Sequence, residues 1–324
     1  KYTKEKRINK AYYVNSNAAL DVSNKFGMVY VTTWDEDKTD IEVVIKVSAD
    51  SEELVNKRLS TIDVDITALK SLVTARTKIG SFSGKRIEME INYTIKIPKN
   101  GPIKIHNQYG DIKTGKIYGK SELKCEYGGL NIEELNNESN SITIEYSGTS
   151  RLNYMRNGSL VAKYSEFKMT RGKSLNARCE YSQFKVGELD DLTLHSEYGD
   201  VAIEKVGHIT GTTAYGQTRI GNVSSLCNIT SEYGDVKVNN ISQGAKNVAI
   251  NSSYGTVNLK YDENLSFDFE FTTEYSNVNG MGAFKVTDRR EKNNGVWYKG
   301  YYKSSGNARI FVKNEYGDIN LSRS

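Results

Sequence analysis

Glu197-Tyr198-Gly199-Asp200-Val201 is one of eleven copies of a single frame between Tyr109 and Tyr316, and its recurrence decides the fold. Gln108-Tyr109-Gly110-Asp111-Ile112, Glu126-Tyr127-Gly128-Gly129-Leu130, Glu232-Tyr233-Gly234-Asp235-Val236 and Glu315-Tyr316-Gly317-Asp318-Ile319 repeat it closely. Looser copies centre on Tyr146, Tyr164, Tyr181, Tyr215, Tyr254 and Tyr275. Successive tyrosines are 18, 19, 18, 17, 17, 17, 18, 21, 21 and 41 residues apart. The last step is two periods, or one period and an insertion. A short fixed period means stacked units. A unit of 17–21 residues is too short for a helix pair and suits one coil of a β-solenoid.

The residues before each tyrosine alternate. Leu175, Ala177, Cys179 and Tyr181 share one face, as do Leu192, Leu194, Ser196 and Tyr198. Period-2 alternation marks a strand. An apolar residue returns three places after the tyrosine, at Ile112, Leu130, Val201, Val236, Val257 and Ile319. That odd offset requires a bend, and Gly, Ser, Asp and Asn fill it, as turns prefer. One coil buries about four or five side chains, each worth roughly 1.5–3 kcal/mol. Ordering its backbone costs about 1–2 kcal/mol per residue. Stacking supplies the missing burial at about 4.8 Å per coil. The tyrosines then form a ladder within the range for aromatic contact, about 4.5–7 Å. They are read as scaffold, with a ligand-binding stripe as the alternative.

The composition agrees with an all-β chain of 324 residues: only Pro98 and Pro102 are proline, and Tyr, Asn, Ser, Thr and Gly abound. No apolar run is long enough to span a membrane as a helix. A net charge of +4, with no basic groove interleaved with aromatics, predicts no nucleic-acid partner. The chain starts at Lys1, so a cleaved secretion signal is expected. Cys125 and Cys179 each lie two residues before a tyrosine and three coils apart. That separation is roughly 14 Å by strand spacing, beyond disulfide reach. With Cys227 they are expected as small, buried core residues.

Residues 1–100 form an N-terminal β cap and first coil, and residues 101–324 form the repeat. Leu20, Val22, Asn24 and Phe26, then Gly27, Val29 and Val31, resemble a coil with Phe in the tyrosine position. Between them and Tyr109 lie strands at Ile41–Val47, Ile62–Ile66, Leu72–Ala75 and Arg86–Ile97. A short helix is expected at Ser51–Leu59, and an exposed hairpin tip at Ser81–Lys85. Terminal coils need covering, which this β elaboration supplies. A hairpin insertion at about 285–312 interrupts the repeat, with its turn at Asn293-Asn294-Gly295.

Leu20-Asp21-Val22-Ser23-Asn24-Lys25-Phe26-Gly27, Val31-Thr32-Thr33-Trp34-Asp35, the Ile41–Val47 strand and the Tyr-Gly-Asp coils together resemble a family of bacterial envelope proteins. Its members are labelled adhesins, and their function is unknown. The resemblance covers nearly the whole chain. It implies a β-solenoid carrying a signal sequence, hence an exported protein of the cell surface or periplasm. It supplies no catalytic residue. The chain departs from the plainest pattern at Lys163, Ala214 and Ser253, where glutamate is replaced, and at the insertion.

Glutamate precedes the tyrosine at Glu126, Glu145, Glu180, Glu197, Glu232, Glu274 and Glu315, and Asp111, Asp200, Asp235 and Asp318 follow in the bend. Stacked carboxylates repel by roughly 0.9 kcal/mol per neighbour in water. They could form a calcium edge. The breaks in the row favour a solvated face that discourages edge pairing. Lys113, Lys168, Lys185, Arg219 and Lys237 offset part of the charge. His106, His195 and His208 fall in different coils without metal spacing. No catalytic residue, metal or cofactor is assigned.

The binding candidate is the hairpin. Arg289, Arg290, Trp297, Tyr298, Lys299, Tyr301 and Tyr302 combine flat aromatic rings with basic groups, which suits acidic sugars or a partner surface. The alternative is that these rings pack on the solenoid flank. The sequence therefore predicts an all-β, right-handed parallel β-solenoid with an N-terminal β-sheet cap. The expected function is a non-catalytic exported interaction module, an adhesin for a glycan or cell-envelope protein. A ligand-free envelope scaffold and a polysaccharide lyase or hydrolase are the alternatives.

Overall fold

The computed structural model describes residues 1–83 and 86–324. They form two compact units, Lys1–Ser159 and Leu160–Ser324, both built almost entirely of strands. The chain passes from one to the other within the strand Thr149–Lys163.

In the first unit, two stacks of parallel strands enclose the core. Leu72–Ile79, Ala19–Lys25, Ile103–Gln108, Ser121–Glu126 and Asn140–Glu145 follow one another in the first stack. Glu88–Pro98, Val29–Trp34, Ile112–Ile117, Leu130–Leu135 and Thr149–Lys163 follow in the second. The Phe26 coil thus lies directly on the Tyr109 coil, despite the long sequence between them. That intervening chain turns back to lay a further coil over Phe26. Antiparallel strands close the end: Ile62–Ala68 on one stack, and Lys38–Ala49 followed by the N-terminal strand Tyr2–Tyr13 on the other. Tyr2–Tyr13 exposes Lys6, Arg7 and Lys10, charges that guard an edge against further pairing. The expected helix is Glu52–Leu59, with the Ser51 hydroxyl accepting from the Leu54 amide at 3.3 Å. The segment expected as a hairpin tip instead joins Leu72–Ile79 to Glu88–Pro98, which pair in different stacks; Gly84 and Lys85 of that segment lie outside the described residues.

In the second unit, Glu166–Glu180, Gln183–Glu197, Val201–Ala214 and Thr218–Glu232 pair in parallel along their lengths. Each long strand carries the end of one coil and the start of the next. Beyond them the order of coils in space departs from the order in sequence. Arg309–Glu315 inserts between Asn247–Ser253 and Phe267–Glu274. Ile319–Arg323 likewise inserts between Val257–Tyr261 and Val278–Asn279. Tyr316 therefore stands between Tyr254 and Tyr275. The interval of 41 residues is an excursion that leaves room for one coil and returns to fill it. The excursion is the hairpin Lys285–Lys292 and Gly295–Tyr302, which adds antiparallel to Phe267–Glu274 and covers the last coil.

The core is built by alternation: Leu175, Ala177 and Cys179 before the bend and Phe184 and Val186 after it are buried. The tyrosines leave that alternation. All eleven adopt positive φ, from 50° to 58°, as does Phe26 at 62°. A left-handed residue ends the pleat and swings its side chain out, so the rings are about half exposed and do not share the inward face. They stack on one another instead. Phe26, Tyr109, Tyr127 and Tyr146 are spaced 5.1, 5.0 and 5.1 Å apart. In the second unit, Tyr164, Tyr181, Tyr198, Tyr215, Tyr233, Tyr254, Tyr316 and Tyr275 follow at 5.0, 4.7, 4.6, 5.0, 4.7, 4.8 and 4.8 Å. Glycine follows the tyrosine where the coils approach most closely: a Cβ at Gly199 would lie 1.9 Å from the Ser182 carbonyl oxygen.

Candidate functional site

Strand alternation divides the hairpin's aromatic and basic residues between two faces. Gly295–Tyr302 pairs with Phe267–Glu274 so that Phe271 faces Tyr298 and Phe267 faces Tyr302. Phe267, Phe269 and Phe271 are buried, so Tyr298 and Tyr302 lie on the core side. Tyr302 is buried: its ring lies 5.0 Å from Tyr261 and 5.3 Å from Phe267, and its hydroxyl donates to the Glu263 carbonyl at 3.2 Å. With Phe284 these rings plug the end of the core. Tyr302 thus cannot contact a ligand. Arg289 stacks on Tyr298, its guanidinium 5.6 Å from the ring centre, on that same side.

Trp297, Lys299 and Tyr301 point to the outer face. The Trp297 indole N–H donates to Glu270 Oε1 at 2.9 Å, and the Arg290 guanidinium lies 4.6 Å from its ring centre. Lys285 sits 5.2 Å from the Tyr301 ring centre, and a hydrogen bond to the Tyr301 hydroxyl raises its pKa. Register then sets three rows across the outer face. Trp297 stands beside Thr272 and Lys313, Lys299 beside Glu270 and Phe311, and Tyr301 beside Asp268 and Arg309. Between the last two rows lies a cleft of about 670 Å³, with Tyr301 and Phe311 as its apolar walls and Asp268, Glu270, Lys299 and Arg309 as its charged groups. Flat rings flanked by charges and hydrogen-bonding groups can hold a sugar ring by its apolar face and its hydroxyls.

Phe311, Asp268, Glu270 and Arg309 were not among the residues the sequence pointed to. The signal was present in Arg309-Ile310-Phe311-Val312: alternation turns Ile310 and Val312 inward and leaves Phe311 outward. What the sequence hid was the neighbour, because Arg309–Glu315 pairs with a strand out of sequential order. A second aromatic cleft, of about 370 Å³, lies in the first unit, where Tyr30, Trp34 and Tyr118 meet Lys99 and Lys116.

Most of the recurring acidic residues have structural partners. Asp111, Asp200, Asp235 and Asp318 accept from the amides of Gly129, Gln217, Thr256 and Asn277 at 2.8–2.9 Å, each in the next coil of the stack. Glu126, Glu180 and Glu315 bond to bases two residues earlier, Lys124, Arg178 and Lys313. The Lys124 contact, with help from Gln108, pulls the Glu126 carboxyl down to about 2. Lys168 and Lys185 turn instead to Glu166, each at 3.0 Å. Among the described residues, no group of three or more His, Cys, Asp or Glu side chains is placed to hold a metal ion. The three cysteines are free and buried, and burial pushes each thiol up to about 12.

No curated protein matches the chain. Among solved structures it is similar to a putative adhesin from Parabacteroides distasonis at 8% identity and a TM-score of 0.37, over 98% of this chain and 97% of that one. A putative adhesin from Bacteroides fragilis matches at 14% identity and 0.28, over 98% and 97%. A putative lipid binding protein from Parabacteroides distasonis matches at 10% identity and 0.35, over 98% and 96%. The sequence model of the Toastrack DUF4097 family matches residues 19–322, nearly the whole chain with its stacked tyrosine coils, and the chain belongs to that family.

Proposed function

We propose that this chain is an exported interaction module that binds an acidic glycan of a cell envelope through the outer face of its last coils. The observation that carries the reading is the cleft walled by Tyr301 and Phe311 beside Trp297. Phe311 and Tyr301 are half-buried on an outward face, where the fold makes no demand for aromatic residues. Lys299, Arg309 and Lys285 lie beside them, with Arg290 over Trp297, and favour carboxylate or sulfate groups on the ligand. Asp268 and Glu270 supply acceptors for sugar hydroxyls. The test is binding of the purified chain to a panel of neutral and acidic envelope polysaccharides, with and without calcium. Saturable binding to acidic members, equal in both conditions and weakened by salt, is the expected result. Binding to no member, with capture of an envelope protein by crosslinking in cells, would replace the glycan with a protein partner.

A further inference from the structure

Asp191, His208 and Ser225 are separated by 17 and 17 residues, one coil each, and stacking brings them side by side on the second unit's surface. His208 Nδ1 lies 2.8 Å from Asp191 Oδ1, and its Nε2 lies 3.0 Å from Ser225 Oγ. A carboxylate only accepts, so Nδ1 carries the imidazole hydrogen and Nε2 turns its lone pair to the serine hydroxyl. This is the relation of nucleophile, base and orienting group that activates a serine. A bulge contributes. The register between Val201–Ala214 and Thr218–Glu232 shifts by one at Val206/His208, so His208 stands opposite Leu226 and Ser225 lies beside the irregularity. Bulges re-aim side chains in this way.

We propose that Ser225 is an acyl-accepting nucleophile, with His208 as its base, and that the site hydrolyses carboxylic esters displayed on a large molecule. The activity goes beyond the binding reading and does not depend on it. The substrate class follows from the setting. Asp191 and His208 are more than half exposed on an open strand face, so the ester must arrive on a chain or surface lying against the coils. As the Ser225 oxygen bonds to the ester carbonyl carbon, its proton passes to His208 Nε2. The ester C–O bond then breaks, and the departing alcohol takes that proton. Water attacks the acyl-serine, gives a proton to Nε2, and releases the acid as the proton returns to Ser225. The balance is ester plus water to acid plus alcohol. Asp191 is a positioning residue, holding the imidazole in the tautomer that can accept.

A neighbouring triple supplies an internal control. His195 bridges Thr212 Oγ1 at 2.7 Å through Nδ1 and Glu197 Oε1 at 3.0 Å through Nε2, but its hydroxyl is secondary and more hindered.

The experiment treats the purified full chain with a fluorophosphonate probe and with p-nitrophenyl acetate, and locates the label by peptide mass spectrometry. Label on Ser225 is expected. His208→Ala should lower the labelling rate about 100-fold or more, the usual contribution of a general base. Asp191→Asn should lower it as well, because its amide can donate to Nδ1 and reverse the tautomer, while Asp191→Glu restores part of the rate. Thr212→Val should leave it unchanged. Thermal midpoints of all four variants are expected close to that of the parent, which separates lost chemistry from lost fold. No label on the parent chain, or equal label on Ser225→Ala, would overturn the proposal. So would Ser225 labelling that His208→Ala leaves unchanged.

Discussion

A non-glycine residue at positive φ costs about 1–2 kcal/mol, and this chain places a tyrosine there in coil after coil. Two stacked neighbours return roughly 0.5–1.5 kcal/mol each, so the ring offsets the backbone it strains. A direct consequence concerns Tyr198, which stacks between Tyr181 and Tyr215. Alanine there loses both contacts and keeps the strain, whereas glycine loses the contacts and relieves it. Tyr198→Gly is therefore expected to be more stable than Tyr198→Ala by roughly 1 kcal/mol in urea unfolding; the reverse order would remove the left-handed turn from the account. The thiols make a second test. With pKa values pushed up to about 12, Cys125, Cys179 and Cys227 are protonated at pH 8 in the folded chain. Unfolding returns them toward about 8.5, so their neutral burial favours folding most below that value and less as pH rises toward 12. Ellman's reagent should find no reactive thiol in the folded protein at pH 8 and all three in urea; rapid reaction of the folded protein would contradict their burial.

At the scale of elements, the unusual one is the C-terminal coil, which lies inside the stack and not at its end. The amides of Arg309–Glu315 should exchange with deuterium as slowly as those of Asn247–Ser253 and more slowly than those of Lys285–Lys292. Early exchange in 309–315, as in a fraying terminus, would mean that the coil is not held between two neighbours. This arrangement also marks where the sequence stops being readable. Strand positions, bends, buried cysteines and the extra coil at Phe26 follow from local alternation and turn chemistry, which a linear sequence displays. The 41-residue step displays only its length, because choosing between two periods and an excursion requires knowing which strands are neighbours. The outward placement of the tyrosines was missed for a related reason: alternation predicts a face only while the pleat continues, and a left-handed residue ends it. The binding candidate was half legible. Basic and aromatic clustering located the hairpin, but pairing with Phe267–Glu274 assigned Tyr302 to the core and Trp297 and Tyr301 to the outside. Asp191, His208 and Ser225 were visible only as residues one period apart.

For the molecule as a whole, the net charge of +4 is too small to direct binding by long-range attraction, so the proposed recognition rests on a local surface. The outer face of the last coils is a surface that the scaffold does not explain. Trp297 is its test residue, because it is half-buried, faces outward and lies on the hairpin, away from the coil core. The measurement is titration of the strongest acidic glycan from the panel into the parent chain and into Trp297→Ala, with the thermal midpoint of each recorded. At least about a tenfold loss of affinity is expected, the cost of removing an aromatic contact worth roughly 1.4 kcal/mol, with the midpoint nearly unchanged. Unchanged affinity would contradict the assignment of this face as the binding site, and a loss of binding that accompanies a large fall in the midpoint would show that Trp297 serves the fold.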